Sequence, residues 1–477
     1  LSILGENISS YLTENFGLEF LTRYEEYIQS QPQYYIRARI SGDNEKLIDG
    51  LSKYGIALSP VNNVPNAYSI DEGIENIGKT FEFMIGQYYI QSLSSMIPPI
   101  VLSPSENDTV LDLCAAPGSK TTEISEMMNN GGTLYANDIS VPRLRSLVHN
   151  LDKVNAVNTG VLNAKGELLS KVYDHYFDKI LVDAPCSATG ILQKKEEVTN
   201  WWNSNQMQKI ANLQLRLLIA AIKMAKVGGE IIYSTCSLTL EENELVLDTI
   251  LKKYPVELDE IKLPVDSEPA KTVYKGTPLN PEISKARRII PWNINSEGFF
   301  VAKLIKTDIT DKKERDIPVK RKSNFSFAKA KEIKKYLGHI EEWFGIEEGV
   351  LNNYKYILRG KDIFYVNSEW YAETLSPFNR IGTKFGNIDS RGFAHLHTQS
   401  AQNLSQYFTQ NVVELESYEH LKTYLEGGTI KTFQLERGQK VVKFNGYTLG
   451  TAIATTEGLK SQFPRSHRTG ALILPNE

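Results

Sequence analysis

Val110-Leu111-Asp112-Leu113-Cys114-Ala115-Ala116-Pro117-Gly118-Ser119-Lys120-Thr121 is the stretch whose reading decides the fold. It starts as a short apolar strand, enters a turn of small residues and continues as a helix. Ala115, Ala116 and Gly118 let the backbone approach a ligand closely, and the helix that follows offers unpaired amides at its N-terminus. This is the layout of a nucleotide-cofactor loop, without the G-x-G-x-x-G spacing of a dinucleotide binder. Asp138 follows Gly118 by about 20 residues, at the end of the next strand, where an acid can take ribose hydroxyls. A turn aspartate ahead of the helix near Pro142 is the competing reading.

Outward from this loop, short apolar runs alternate with helical stretches from about 101 to 306. Strands are expected at 109–113, 133–136, 179–182, 230–233 and 299–304, with helices at 120–128, 142–151, 206–226 and 241–253. Such alternation predicts an α/β, Rossmann-like core over 96–306: a largely parallel sheet, helices on both faces, ligands at the carboxyl ends of the strands. Residues 1–95 read as a small α/β domain, expected to bind RNA. Ile8, Leu12, Phe16, Phe20, Leu21 and Tyr24 predict one helix over 8–28, followed by a strand at 34–40 and a helix at 44–54 that stops at Gly55.

Between Lys312 and Lys335 ten Lys or Arg stand against three acids, a local excess of +7. This predicts a basic linker over 307–340, serving either as a patch that faces RNA or as a solvated connection. The remainder, 341–477, reads as a helical start and a small β-rich module. Its signals are a strand–turn–strand unit through 441–450 and an apolar finish at 471–474.

Composition narrows the class. Of 477 residues, 41% are hydrophobic and 23% charged, ordinary for a globular protein, and the net charge of −4 argues against a general nucleic-acid coat. No apolar run approaches the ~20 residues of a membrane span, and the first residues lack a secretory pattern, so a cytoplasmic address is expected. Three widely spaced cysteines, Cys114, Cys186 and Cys236, suit neither a disulfide framework nor a C-x-x-C zinc site. His395 and His397 have no matching third ligand, and no metal is expected. Trp201 or Trp202 is read as core packing ahead of a long helix, and Lys194 and Lys195 as either phosphate contacts or solvated surface.

Two of the cysteines have telling contexts. Asp183-Ala184-Pro185-Cys186-Ser187 follows the apolar Ile180-Leu181-Val182, and Ser234-Thr235-Cys236-Ser237 follows Ile231-Ile232-Tyr233. Each thiol should therefore sit at the carboxyl end of a strand, near the expected ligand crevice. A nucleophilic thiolate needs that partial exposure beside groups that stabilise its charge.

Together, the Asp-x-Cys-Ala-Ala-Pro-Gly-x-Lys-Thr loop, Asp-Ala-Pro-Cys-Ser and Ser-Thr-Cys-Ser resemble the Sun/Nop family of RNA cytosine-5 methyltransferases. Gly86-Gln87-Tyr88-Tyr89-Ile90-Gln91 with Ser94-Ser95-Met96-Ile97-Pro98 is similar to the family's entry into its catalytic domain. Arg288-Ile289-Ile290-Pro291 followed by Gly298-Phe299-Phe300-Val301-Ala302 is similar to its last core strand. The resemblance spans roughly 75–306. It implies a class I methyltransferase core that uses S-adenosyl-L-methionine, with Cys114, Ala115, Ala116, Pro117, Gly118, Ser119, Lys120 and Asp138 on the cofactor. It implies Cys236 as nucleophile, Cys186 as the cysteine that promotes product release, and Asp183 as a contact to substrate and cofactor. Where the family carries an aspartate against the adenine amino group, this chain reads Leu162-Asn163-Ala164-Lys165-Gly166. Either the carbonyl oxygen of Asn163 takes that role or the contact is lost. The stretches 424–428, 441–450 and 459–465 resemble the PUA-like RNA-binding module of bacterial RsmF-like members, which favours small-subunit ribosomal RNA over transfer RNA.

Two other readings compete. An amino-group methyltransferase typically carries an Asn/Asp-Pro-Pro-Tyr loop where this chain has Asp183-Ala184-Pro185-Cys186, and would give its cysteine pair no purpose. An RNA-binding ribosome-assembly factor without activity would not need both cysteines and Asp183. A monomer is expected.

Overall fold

The computed structural model describes residues 4–193, 202–310, 325–468 and 472–475. Lys194, Lys195, Trp201 and the run 311–324, most of the basic segment, lie outside these described residues. At its centre is a ten-stranded sheet. Five of its strands are parallel and lie in the spatial order Ala225–Thr235, Phe177–Asp183, Thr109–Asp112, Thr133–Asn137, Thr159–Leu162. Phe299–Lys306 pairs antiparallel with Ala225–Thr235 on one side.

Alternation along each strand sends successive side chains to opposite faces. Leu111, Ile180, Val182, Ile231 and Tyr233 enter one core, while Val110, Leu181, Ile232 and Val301 enter the other. Both faces are covered, which is why these strands read as unbroken apolar runs. From Thr109–Asp112 the chain builds outward in one direction, then returns to build in the other from Phe177–Asp183. The crevice at such a reversal, at the strands' carboxyl ends, is where ligands bind in open α/β sheets.

Several sequence expectations shift. The helix expected over 8–28 is two helices, Glu6–Phe16 and Leu18–Gln29. Gly17 separates them with φ 92°, a value that ends one helix and redirects the chain. The helix expected at 206–226 ends at Met224, and Ala225–Thr235 is already strand. The helix expected from 241 starts at Glu244. The boundary drawn at 95/96 falls inside the helix Leu93–Leu102.

The linker expected over 307–340 is structured at its C-terminal end. Phe327 bridges to Ile357, and Ala330–Phe344 is a helix with Ile333, Leu337, Ile340 and Phe344 buried. Its lysines occupy the other face, so local charge hid an amphipathic pattern.

Nor is 341–477 a separate appendage. Its strand Phe378–Ile381 adds to the edge of the central sheet, antiparallel to Thr159–Leu162. It also forms a four-stranded sheet and a five-stranded sheet that includes Gly438–Phe444 and Tyr447–Thr455. The five-stranded sheet shares a core with the N-terminal sheet: Leu51, Tyr54 and Phe81 pack with Leu421, Phe444 and Ala452. The Phe81 and Phe444 rings meet edge-on at 5.7 Å. Three regions thus form one continuous body around the central sheet.

Candidate active site

The loop after Thr109–Asp112 is fastened to the neighbouring strand tip. The Ala115 amide donates to the Asn137 carbonyl at 2.7 Å, and the Ala116 amide to Asp138 Oδ2 at 3.3 Å. Asp138 Oδ1 accepts from the Ser140 amide at 2.8 Å, and Arg143 lies over the carboxylate, 3.4 Å from Oδ2. Asp138 is thus a turn former at the strand tip, while the N-cap of the helix Val141–Lys153 is Ser140. The Ala116–Pro117 peptide is cis. Asn150 holds the Pro117 carbonyl at 2.9 Å. Gly118 has φ 112°, and a Cβ there would stand 3.0 Å from Leu147. Ser119 opens the helix Ser119–Met127. Burial first, then neighbouring acids, push the Cys114 thiol well above the ordinary range.

Asn163 has its amide donating to the carbonyls of Asp138, at 2.8 Å, and Ile139, at 3.0 Å. Two carbonyl acceptors fix which way the amide lies, and Oδ1 is left as its acceptor end.

One residue of this loop region escaped the sequence reading. Asp112 is buried; its Oδ2 accepts from Thr121 Oγ1 at 2.7 Å, while Oδ1 has no hydrogen-bond partner among the described residues. Burial pushes its carboxyl up to about 7. An orphaned buried acceptor beside a glycine turn and a helix N-terminus fits a ligand with a cationic or donor end. This is the observation that tests the site against S-adenosylmethionine, and the donor set suits it.

The second half of the site comes from two adjacent strand tips. Asp183 ends Phe177–Asp183 and pairs with Ser234 of Ala225–Thr235. That register brings the segments after each strand side by side, so the sulfurs of Cys186 and Cys236 lie 3.0 Å apart across 50 residues of sequence. Hydrogen bonding to Cys236, then burial, hold the Cys186 thiol well above the ordinary range. Asp183 Oδ1 accepts from Ser234 Oγ at 2.9 Å, and Oδ2 pairs with Lys120 Nζ at 2.8 Å. Lys120 also donates to Ser95 Oγ at 2.9 Å and stands over the Phe299 ring. It is buried and does not lie on the exposed face of its helix.

The N-terminal helices brace these segments. Tyr24 OH donates to the Thr189 carbonyl at 2.6 Å, and Gln193 donates to the Tyr27 carbonyl at 2.9 Å. Trp202 is buried against Tyr11, the core role expected for one of the two tryptophans. His395 contacts Asp389 and His397 contacts Gln399. Ser95, Asp112 and Glu242, which lies under both cysteine segments, were not singled out from sequence. Asp112 directly precedes the quoted turn, and Thr239-x-x-Glu242 has the spacing of an ordinary capping box.

Comparison with known proteins agrees with this geometry. Residues 99–305 match the family model described as 16S rRNA methyltransferase RsmB/F. Ribosomal RNA small subunit methyltransferase F of Shewanella piezotolerans is 30% identical over 90% of this chain and 88% of its own. The tRNA (cytosine(49)-C(5))-methyltransferase of Pyrococcus abyssi is 32% identical, over 63% of this chain and 97% of its own. The crystal structure of a methyltransferase homolog from Pyrococcus horikoshii superposes with a TM-score of 0.56 at 32% identity, covering 62% of this chain and 93% of that one. A relative of that identity, aligned along nine-tenths of the sequence, and a core built around two strand-tip cysteines lead to one assignment: the chain belongs to the RsmB/F family of methyltransferases.

Proposed function

We propose that this enzyme methylates carbon 5 of a cytosine in small-subunit ribosomal RNA, with Cys236 as the nucleophile. The observation that carries the chemistry is the pair of thiols at 3.0 Å, on adjacent strand tips beside the Lys120–Asp183 ion pair. An amino-group methyltransferase has no use for two apposed cysteines.

When bound, S-adenosylmethionine supplies an electrophilic methyl group. Cys114 to Lys120, Asp138 and Asn163 would hold it, with Asp112 as a further acceptor. Carbon 5 of cytosine is a poor nucleophile until carbon 6 is attacked. The Cys236 thiolate forms a bond to carbon 6, and a proton delivered to ring nitrogen 3 makes carbon 5 enamine-like. Asp183, held by Lys120 and Ser234, is the carboxylate placed to take the proton that the Cys236 thiol gives up and pass it to nitrogen 3. Once carbon 5 carries the methyl, its proton leaves to a base, the carbon 6–sulfur bond breaks and nitrogen 3 returns its proton. Cys186 lies against the leaving sulfur and assists this release. Lys120 attracts Cys236 electrostatically as well as Asp183, so one cation serves both groups.

Reach for the ring requires an unstacked cytosine. We assign the region 341–477 an RNA-binding role as a PUA-like module, and the likeness of the chain, over 90% of its length, to a relative named for the small ribosomal subunit favours ribosomal RNA. A relative named for tRNA keeps transfer RNA as the second reading. Among the described residues no helix is long and apolar enough to cross a membrane.

Bisulfite sequencing of total RNA from cells with the intact protein and with Cys236→Ala tests the proposal. A protected cytosine in small-subunit rRNA that depends on Cys236 supports it. A lost mark in tRNA moves the substrate, and no difference removes Cys236 from its role.

A further inference from the structure

Both cysteine segments close over a single carboxylate. Glu242 is fully buried, at 0% exposure. Its Oε2 accepts from the Ser187 amide at 2.8 Å and from Gln214 Nε2 at 2.9 Å. Its Oε1 accepts from Ser237 Oγ at 2.9 Å, from Thr239 Oγ1 at 2.8 Å and from the Ser187 hydroxyl. Ser187 directly follows Cys186, and Ser237 directly follows Cys236. Gln214 also holds the Pro185 carbonyl at 2.9 Å, just ahead of Cys186.

Neighbouring bonds complete the tie. Asn243 accepts from Thr235 Oγ1 at 2.7 Å and donates to the Ser237 carbonyl at 2.8 Å, bracketing Cys236 on both sides. The Gly190 amide donates to the Cys236 carbonyl at 2.9 Å, and the Leu238 amide to Thr189 Oγ1 at 2.9 Å. None of the five donors to Glu242 is a cation. Its charge is held by neutral hydrogen bonds, four of them from the segments that follow the two thiols. Filling space there would be served as well by an apolar side chain, without the desolvation of an anion.

We propose that Glu242 is a positioning residue that sets the two thiols against each other and against the substrate ring. The inference rests on the reading of Cys236 as nucleophile. Glu242 touches neither substrate nor cofactor; it acts through Ser187 and Ser237. Replacing one carboxylate oxygen with an amide NH2 turns a donor toward hydroxyl and amide donors and loosens both segments together. Misplacement of a reacting atom by about 1 Å costs on the order of 100-fold in rate.

The test uses the full chain with unmodified small-subunit ribosomal RNA transcribed in vitro. Single-turnover methyl transfer, KM for RNA and cofactor, and thermal melting are measured for Glu242→Gln and Cys236→Ala. RNA carrying 5-fluorocytidine reports the rate of covalent adduct formation. Glu242→Gln is expected to lower kcat and adduct formation by about 100-fold, with both KM values changed less than about threefold. Wild-type kcat and adduct rate in the folded variant overturn the proposal. Should Glu242→Gln fail to fold, Ser237→Ala and Ser187→Ala each remove one arm. Ser237→Ala is then expected to slow adduct formation, and Ser187→Ala to slow methylated-product release; if neither step changes, the proposal falls. Activity in Cys236→Ala would instead overturn the underlying chemistry.

Discussion

Lys120 Nζ stands 2.8 Å from Asp183 Oδ2, joining the first turn of the cofactor-loop helix to the strand tip that leads to Cys186. Burial alone pushes the Lys120 ammonium down, but Asp183, together with Cys236 and Asp112, outweighs burial and leaves it above its ordinary value. A lysine raised in this way contributes stability that is full below its unfolded value and lost only as pH rises through the folded one. The pair is therefore intact throughout the neutral range. Lys120→Met leaves Asp183 without its cation, and turnover should fall on the order of 100-fold. Initial rates between about pH 6 and 9 should show the deficit at every pH. A deficit that disappears on acidification would place the role of Lys120 elsewhere.

The two thiols divide the reaction between bond formation and release. Cys186→Ala keeps the nucleophile and removes the group against the departing sulfur, so the RNA adduct should accumulate. Denaturing gels of a reaction with unmodified RNA should show a band that resists detergent in Cys186→Ala and is missing when Cys236 is also replaced. Free turnover by Cys186→Ala would contradict the assignment.

What the sequence made legible was local. Asp183 and Cys186 follow one apolar run and Cys236 follows another, so each could be placed at a strand tip without knowing the fold around it. Their contact needed only that the two strands be neighbours. Glu242 was not legible for the opposite reason. Its partners Ser187, Gln214 and Ser237 come from three segments, and Thr239-x-x-Glu242 looks like an everyday helix start. The helix Ala330–Phe344 was hidden by its own lysines, although Ile333, Leu337, Ile340 and Phe344 recur at helical spacing. The edge strand Phe378–Ile381 carries too few residues to announce a partner more than 200 positions away.

That edge strand depends on a missing side chain. A Cβ at Gly160 would stand 2.4 Å from Phe378 Cε1 and 3.0 Å from Trp370 Cζ2. Both rings belong to the buried cluster that covers this side of the sheet. Gly160→Ala forces them outward, and overpacking of this kind costs about 1–3 kcal/mol. Limited proteolysis should release fragments from the region after 341 faster than in the parent, and the melting temperature should drop. Unchanged protection would mean that the C-terminal region is held by its other contacts alone.

Glu82 sets how stability varies with pH. It is buried beside the shared core of the N-terminal and five-stranded sheets, and its Oε2 has no hydrogen-bond partner among the described residues. Burial pushes its carboxyl from 4.5 up to about 7. A carboxyl raised on folding binds a proton in the native chain that the unfolded chain has already lost. Its contribution is thus full below about pH 4.5 and is lost as pH rises through about 7. Glu82→Gln cannot ionise and escapes this loss. The variant should match the parent near pH 4.5 and exceed it by about 3 kcal/mol above pH 8, from the size of the displacement. Asp112 and Glu123, also raised to about 7 by burial, keep a slope of the same sign in both proteins. Denaturant melts at the two pH values separate these contributions. A gain of equal size at both would trace the effect to packing around Gly50 and not to the charge of Glu82.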